Sequence, residues 1–373
     1  MDKRVILSVA GSGKTYHICN EIDETKRNII IAYTNQNIKN IYTELIKRFG
    51  YIPSNTLVMT FHSFLYKFII RPYDTLIGNF YGIEKFVSKG VTLESSPPPS
   101  ILLKNGIRIK NPNYNTIDKL SHFVKNNKYY CDLLSSLVIK TNDKKKFSII
   151  EHSCNNLNKF FDKIYIDEVQ DFREDNWKVL LEIIKRANNI LMVGDYYQHS
   201  VNALNNHGIP FQIRKNLISY EDYLNYLSDL GLEVDVDSLK NSRRCSNNVC
   251  QYITQKLGIT ISHDNENIGK IIFVNNQQEI CDILENDNIV KLVREMPEIY
   301  NFNAITWGYS KGDTYESTCL ILSDSLENLN DQSFSPPINT TLNKLYVALT
   351  RSKGNVYIIK KADFDLVAEK YMM

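Results

Sequence analysis

The chain has almost no net charge. Its 44 basic and 42 acidic residues, spread over 373 positions, leave a formal +2. That is too little for a general electrostatic hold on nucleic acid, so any such site must be a local groove. No C-x-x-C pair occurs among the seven cysteines, Cys19, Cys131, Cys154, Cys245, Cys250, Cys281 and Cys319. Cys245 and Cys250 are the closest two, and no ligand-like histidine stands beside them. This pattern excludes a disulfide framework and a zinc site, and it predicts reduced thiols in a reducing compartment, the cytoplasm. No apolar run approaches the roughly 20 residues of a membrane span. The N-terminus opens on a strand rather than a leader, so neither a signal peptide nor a membrane partner is expected. What remains is an ordinary globular composition, 43% hydrophobic and 23% charged, with length for two or three domains.

The most informative stretch is Ala10-Gly11-Ser12-Gly13-Lys14-Thr15. It follows an apolar run, residues 5–9, and precedes a helix expected over residues 14–22. Strand, glycine turn and a Lys-Thr pair opening a helix form the context of a phosphate-binding loop. Glycines let backbone N–H groups turn inward on a phosphate where a side chain would block them. Lys14 would reach the β- and γ-phosphates, and Thr15 would hold Mg²⁺ through its hydroxyl. Ala10 stands where the strict pattern has its first glycine.

Apolar strands alternate with helices beyond it. Residues 28–33 form a continuous apolar run, as a strand buried on both faces requires. Thr34-Asn35 is a plausible cap for the helix that follows. Residues 57–60 form a third strand, and residues 61–66 lead into another helix. This alternation implies a parallel α/β sheet. It is lost from about residue 71 to 160, where Ser95-Ser96-Pro97-Pro98-Pro99-Ser100 is a breaker. There Lys140 and the run Lys144-Lys145-Lys146 mix with Tyr114, Phe123, Tyr129 and Tyr130. Such a region is read as an inserted subdomain. Its basic and aromatic residues either line a single-strand groove or form a solvated face over core aromatics.

The sheet resumes at residues 163–166 and ends on Asp167-Glu168. After a phosphate loop, the first acid completes the Mg²⁺ shell and the second polarises the attacking water. A further strand over residues 189–194 leads to Gln198, placed to sense a γ-phosphate. Arg243-Arg244 precedes a helix, as a phosphate contact or as exposed charge. A second alternating half has strands at residues 271–274, 304–307, 318–322 and 355–359. A helix at residues 345–351 delivers Arg351 in the manner of an arginine finger.

In this order the stretches resemble the UvrD/Rep/PcrA branch of superfamily 1 helicases, through nearly the whole chain. The phosphate loop looks like motif I, Ala32-Tyr33-Thr34-Asn35 like motif Ia, and Thr60-Phe61-His62-Ser63-Phe64 like the family's Thr-Phe-His-Ser-Phe. Ile166-Asp167-Glu168-Val169-Gln170-Asp171 looks like motif II, and Val193-Gly194-Asp195 with Gln198 like motif III. Ser310-Lys311-Gly312 looks like motif V, and Tyr346-Val347-Ala348-Leu349-Thr350-Arg351-Ser352 like motif VI. The resemblance implies an α/β fold of two RecA-like parallel-sheet domains (a P-loop NTPase) with a small insertion in the first. The expected bounds are 1–72 with 161–238 for the first domain, 73–160 for the insertion and 239–373 for the second. It implies ATP and Mg²⁺, with Gly11, Ser12, Gly13, Lys14, Thr15 and Glu316 on the nucleotide, and Thr15 and Asp167 on the metal. Lys14, Asp167, Glu168, Gln198, Arg243 and Arg351 would carry the chemistry. Tyr33, Thr34, Asn35, His62 and Thr306 would face the nucleic acid. The implied activity is ATP-driven movement along single-stranded DNA, or DNA with a single-stranded tail, 3′ to 5′.

The chain departs from that pattern in several places. It starts at the phosphate-loop strand, without the upstream glutamine motif that reads adenine. Val201, Ala203 and Leu204 stand where motif III has Tyr, Trp and Arg, and Ser242 stands where motif IV has Tyr before its Arg. Only about 60 residues separate Arg243 from the motif V strand, too few for the large second-domain insertion. These losses support an alternative, a helicase-like ATPase subunit that gates a partner nuclease in a defence or repair complex. A small-molecule kinase is disfavoured by the second α/β half and the Gln-Asp pair of motif II.

Overall fold

The run Asn28–Ala32 is buried at every residue. In the computed structural model it runs parallel to Thr56–Thr60 on one side and to Lys163–Ile166 on the other. Ile30 stands opposite both Val58 and Tyr165. A strand covered on both faces needs this unbroken apolar pattern, and the parallel α/β arrangement expected from the sequence is present. The structure describes residues 2–142, 148–199, 209–213, 216–337 and 340–372. The lysine run Lys144-Lys145-Lys146 and the positions Val201, Ala203 and Leu204 lie outside the described residues. Among the described residues no helix is long and apolar enough to cross a membrane.

The chain divides into two compact units. The first comprises Met1–Lys3, Cys19–Asp167 and Phe172–Leu191, and the second Arg4–Ile18, Glu168–Asp171 and Met192–Met373. In the first unit, Thr34 caps the helix Asn35–Phe49 by accepting the Asn37 N–H at 3.2 Å. Ile41 and Leu45 form its buried stripe, and Gly50 closes it in the left-handed conformation. After Thr56–Thr60 the chain turns directly into the short helix Phe61–Phe64. Thr60 Oγ1 accepts the Ser63 N–H at 3.3 Å. Phe61 and Phe64 are fully buried while His62 is only half-buried. A wide π-turn, Leu65–Ile70, continues that helix.

The region read as an insertion is built of short pieces. The strands Gly90–Thr92 and Val124–Lys125 flank Lys128–Tyr130, and a hairpin joins Ser100–Leu102 to Arg108–Lys110. Phe123, Tyr129 and Tyr130 are buried. Of the two readings offered for these aromatics, core packing holds. The buried Asp74 ties the region together. Its carboxylate accepts Ser88 N and Ser88 Oγ at 2.7 Å each and Tyr129 OH at 2.8 Å. Three donors on one buried carboxylate meet the requirement that buried charge be hydrogen-bonded.

The second unit holds a five-stranded parallel sheet in the order Ile271–Val274, Val356–Ile359, Ser317–Ile321, Ile289–Val293, Ala304–Thr306. Its second strand from one edge, Ile289–Val293, was not expected from the sequence. Lys291 interrupts its apolar run, yet that residue is 1% exposed and its ammonium reaches back to donate to Asn286 O at 2.7 Å. Two helices of the unit are Asn247–Leu257, capped by Ser246, and Thr340–Leu349. Leu345, Tyr346, Ala348 and Leu349 of the latter enter the same core as Val9 and Ala10. The segment Arg4–Ile6 pairs in parallel with Glu233–Asp235.

Candidate functional site

The phosphate-loop segment lies in the second unit, pinned from several sides. Ser8 N–H and Oγ both donate to Gly194 O, at 2.8 and 3.0 Å. Val9 N–H donates to Leu239 O at 3.1 Å. Ala10 is fully buried, and its N–H donates to the Tyr346 hydroxyl at 2.8 Å. Ala10 does not take the left-handed conformation of Gly11 and Gly13, so the position does not require glycine. Gly11 and Gly13 take the left-handed φ values of 74° and 89° that their type allows at little cost. Lys14 then opens the helix Lys14–Glu21.

Lys14 is 9% exposed, and its ammonium lies 3.5 Å from Glu168 Oε1. Glu168 follows the strand Lys163–Ile166 with a left-handed φ of 55°, a conformation that costs a non-glycine residue about 1–2 kcal/mol and is found at functional sites. Burial works to raise its carboxyl, but Lys14, Lys311 and the Gln170 amide outweigh burial and hold it below the usual glutamate range. Gln170 is the hinge of the network. Its Nε2 donates to Glu168 Oε2, and its Oε1 accepts Asp195 N–H at 3.1 Å. Asp195 in turn accepts Gln198 Nε2 at 2.7 Å and the Tyr346 hydroxyl at 3.3 Å. Burial raises the Asp195 carboxyl above its ordinary value despite Lys14. Lys311 closes the cluster with an ion pair to Asp171 at 2.5 Å, the two side chains 11% and 13% exposed.

The arginines behave differently from one another. Arg243 N–H donates to Gly11 O at 2.9 Å, and its guanidinium lies 4.8 Å from the Tyr16 ring centroid. Its Nη1 would stand 3.8 Å from a Cβ placed on Gly13. Arg243 is thus exposed and lies beside the phosphate loop. Arg351 is 1% exposed. Its Nε donates to Val347 O at 2.8 Å and its Nη1 to Ser310 O and Asp313 O at 3.4 Å each. Burial, with Arg244 close by, lowers it to about 9. Its fork braces the motif V turn. Glu316 is brought to Lys353, 3.3 Å away, and its side chain is 81% exposed. Thr306 ends its strand and accepts Tyr309 N–H at 3.2 Å.

Two observations bear on a nucleotide and a divalent cation. Ser12 is 2% exposed, and its Oγ has no hydrogen-bond partner among the described residues. In the second unit Thr15 and Glu168 offer a hydroxyl and a carboxylate, oxygen donors of the kind that hard cations take. Asp167, in the first unit, is fully buried, and its N–H donates to Ile31 O at 2.9 Å.

The first unit carries a separate groove of about 570 Å³. Tyr33, Thr34, Asn35 and His62, four of the residues predicted to face nucleic acid, line it together with Tyr66 and Lys67. Tyr33 meets His62 and Phe172 edge-on, each at 5.6 Å between centroids, and its hydroxyl accepts Asn176 Nδ2 at 2.9 Å. Burial lowers His62, against the opposing charge of Asp132, which favours the neutral imidazole. The sequence reading missed Tyr346, Asp195, Gln170, Asp171 and Lys311 as site residues, although all five lie in motifs already quoted.

Among curated proteins, no sequence matches this chain significantly. Solved structures that match this chain include arterivirus nonstructural protein 10 (helicase) in complex with DNA, 13% identical, with a TM-score of 0.48 over 99% of this chain and 62% of that one. The helicase of PRRSV is 13% identical with a TM-score of 0.45, over 96% of this chain and 52% of that one. The chain therefore spans less than two thirds of the length of these proteins. The AAA domain family matches residues 2–203, and the viral superfamily 1 RNA helicase core domain family matches residues 118–360. With most of its length matched in this way, the chain belongs to the superfamily 1 helicase core family, whose members are NTP-hydrolysing helicases.

Proposed function

We propose that the chain is a UvrD-like member of that family. It hydrolyses ATP with Mg²⁺ and uses the cycle to move 3′ to 5′ along single-stranded DNA, or DNA with a single-stranded tail. The observation that carries this is the buried Lys14–Glu168 pair at 3.5 Å. A lysine at the head of the phosphate loop and an ionised glutamate beside it are the cation and the base that phosphoryl transfer to water needs. The backbone N–H groups of Gly11, Ser12, Gly13, Lys14 and Thr15 would cradle the phosphates. Lys14 would leave Glu168 for the γ-phosphate, and Glu168, freed, would orient and deprotonate the attacking water. Thr15 and Asp167 would hold Mg²⁺, which neutralises phosphate charge when bound. Gln198 reports on the γ-phosphate through Asp195, Arg243 approaches from beside Gly13, and Glu316 serves the nucleotide. The groove of Tyr33, Thr34, Asn35 and His62, with Thr306, takes the strand. The free thiols suit a reducing compartment such as the cytoplasm.

The test is ATP hydrolysis by the purified chain with and without single-stranded DNA or RNA, followed by tailed duplexes of each polarity. Stimulation by DNA and unwinding from a 3′ tail are expected. Hydrolysis that no strand stimulates would remove the translocase reading. One observation favours the second reading, an ATPase subunit gating a partner nuclease in a defence or repair complex. Arg351 gives its guanidinium to Val347, Ser310 and Asp313 carbonyls, so a finger role requires a partner or ligand that draws it out. Hydrolysis that appears only with a co-purifying nuclease would select that reading.

A further inference from the structure

The second unit carries an exposed aromatic that the nucleotide network does not use. Tyr309 is 83% exposed, on the turn that follows Ala304–Thr306. The turn beneath it is rigid. Trp307 is fully buried, its Nε1 donating to Leu292 O at 3.1 Å and its backbone N–H to Val293 O at 2.9 Å. Ser310 is fully buried, its Oγ donating to Trp307 O at 2.7 Å and its N–H to Thr306 O at 3.1 Å. A fixed backbone thus holds a large ring out in water, where burial or a polar residue would have been more favourable.

A cation stands at the same edge. Val293 pairs with Thr306 in the sheet register, so Arg294 and the Tyr309 turn leave neighbouring strand ends together. Arg294 Nη1 donates to Ser323 Oγ at 3.0 Å and to Ser325 Oγ at 3.2 Å, two hydroxyls just past the next strand, Ser317–Ile321. Glu295 lies 3.7 Å from Arg294 Nε, on the side of the guanidinium away from the serine-facing Nη1. The carboxyl ends of parallel strands are where open α/β sheets bind ligands. A ring with a free face and a guanidinium with flanking hydroxyls match a base and its adjoining phosphate.

We propose that Tyr309 and Arg294 form a platform for single-stranded nucleic acid, with a base stacked on the Tyr309 ring and the next phosphate held by Arg294, Ser323 and Ser325. The platform rests on the reading of the chain as a strand-binding NTPase, and it adds a contact that tolerates any base, since every base has a π-face.

The test is fluorescence anisotropy of the full chain with labelled oligo-dT, oligo-U and an abasic strand of the same length. Tyr309→Ala should weaken binding about 5- to 150-fold, the range of one stacking contact, while Tyr309→Trp should preserve it. The difference should vanish on the abasic strand. Arg294→Gln should lower the slope of log affinity against log salt by about one. Because Tyr309 is exposed, its removal should leave the unfolding midpoint unchanged, which separates lost stacking from lost fold. Loss on oligo-dT alone assigns the platform to DNA, and loss on oligo-U alone to RNA. Wild-type binding that Tyr309→Ala leaves unchanged overturns the platform alone. A wild-type chain that binds neither oligomer overturns the strand-binding reading and the platform with it.

Discussion

Gly11 and Gly13 look equivalent in the sequence, yet the structure separates them. Both adopt left-handed φ, so alanine at either costs about 1–2 kcal/mol in backbone strain. A Cβ on Gly11 would stand 2.7 Å from Arg244 Cβ and 2.8 Å from Ser242 Oγ. Neither neighbour can swing away. One is the root of its side chain, and the other accepts the N–H groups of Arg244 and Cys245 at 3.3 and 3.1 Å. Overpacking of this kind adds about 1–3 kcal/mol. A Cβ on Gly13 would meet nothing closer than 3.7 Å. Gly11→Ala should therefore cost about 2–5 kcal/mol and Gly13→Ala about 1–2 kcal/mol. For a unit of about 200 residues, each kcal/mol moves the midpoint by about 2–4 °C. Gly11→Ala should melt about 2–12 °C below Gly13→Ala when both are heated without nucleotide. The reasoning is refuted if Gly13→Ala melts at the same temperature or lower.

Glu168→Gln should keep nucleotide binding and stop hydrolysis, read by fluorescent-nucleotide titration beside phosphate release; lost binding would mean that Glu168 also anchors the nucleotide. Lys311→Met breaks a nearly buried pair with Asp171, at a cost of about 3–5 kcal/mol, and removes one of the charges that hold Glu168 down. Because the folded-state value of Glu168 is depressed, its ionised form persists to lower pH than an ordinary glutamate's. The acidic limb of hydrolysis should accordingly lie below the usual carboxylate range, and Lys311→Met should move it upward. An unmoved limb in a folded variant would show that Lys311 does not set that ionisation. Tyr33→Phe should bind single strands as the parent does, while Tyr33→Ala should lose about 1–3 kcal/mol; equal binding by all three would place the strand elsewhere.

What the sequence made legible was whatever depends on one residue's type and its near neighbours. Asn28–Ala32 reads as a doubly covered strand because nothing polar interrupts its isoleucines. Thr34 reads as a cap because a hydroxyl just before a helical turn has an N–H to accept. The strand Ile289–Val293 was hidden by Lys291, whose four-carbon stem lets a buried position keep its charge bonded to a carbonyl. The aromatics of the insertion could not be divided between groove and core, since the division depends on the Asp74 carboxylate more than forty residues from Tyr129. Arg351 was singled out as a finger, but which carbonyls its fork would meet is a fact of three dimensions. Tyr309 gave no signal, because exposure is not written in a residue's type.

The hydroxyl of Tyr346 accepts the Ala10 N–H and donates its own O–H to Asp195. Five residues further along, Arg351 holds the carbonyl of Ser310, the neighbour of Tyr309. One stretch of chain thus touches the phosphate loop at one end and the turn that carries Tyr309 at the other. Thermodynamic reciprocity then applies: whatever factor a bound nucleotide changes in affinity for a strand, the strand must return in affinity for the nucleotide. A measured strand affinity that is blind to nucleotide would mean this stretch stays rigid, whereas a matched change in both would make it the conduit of the coupling.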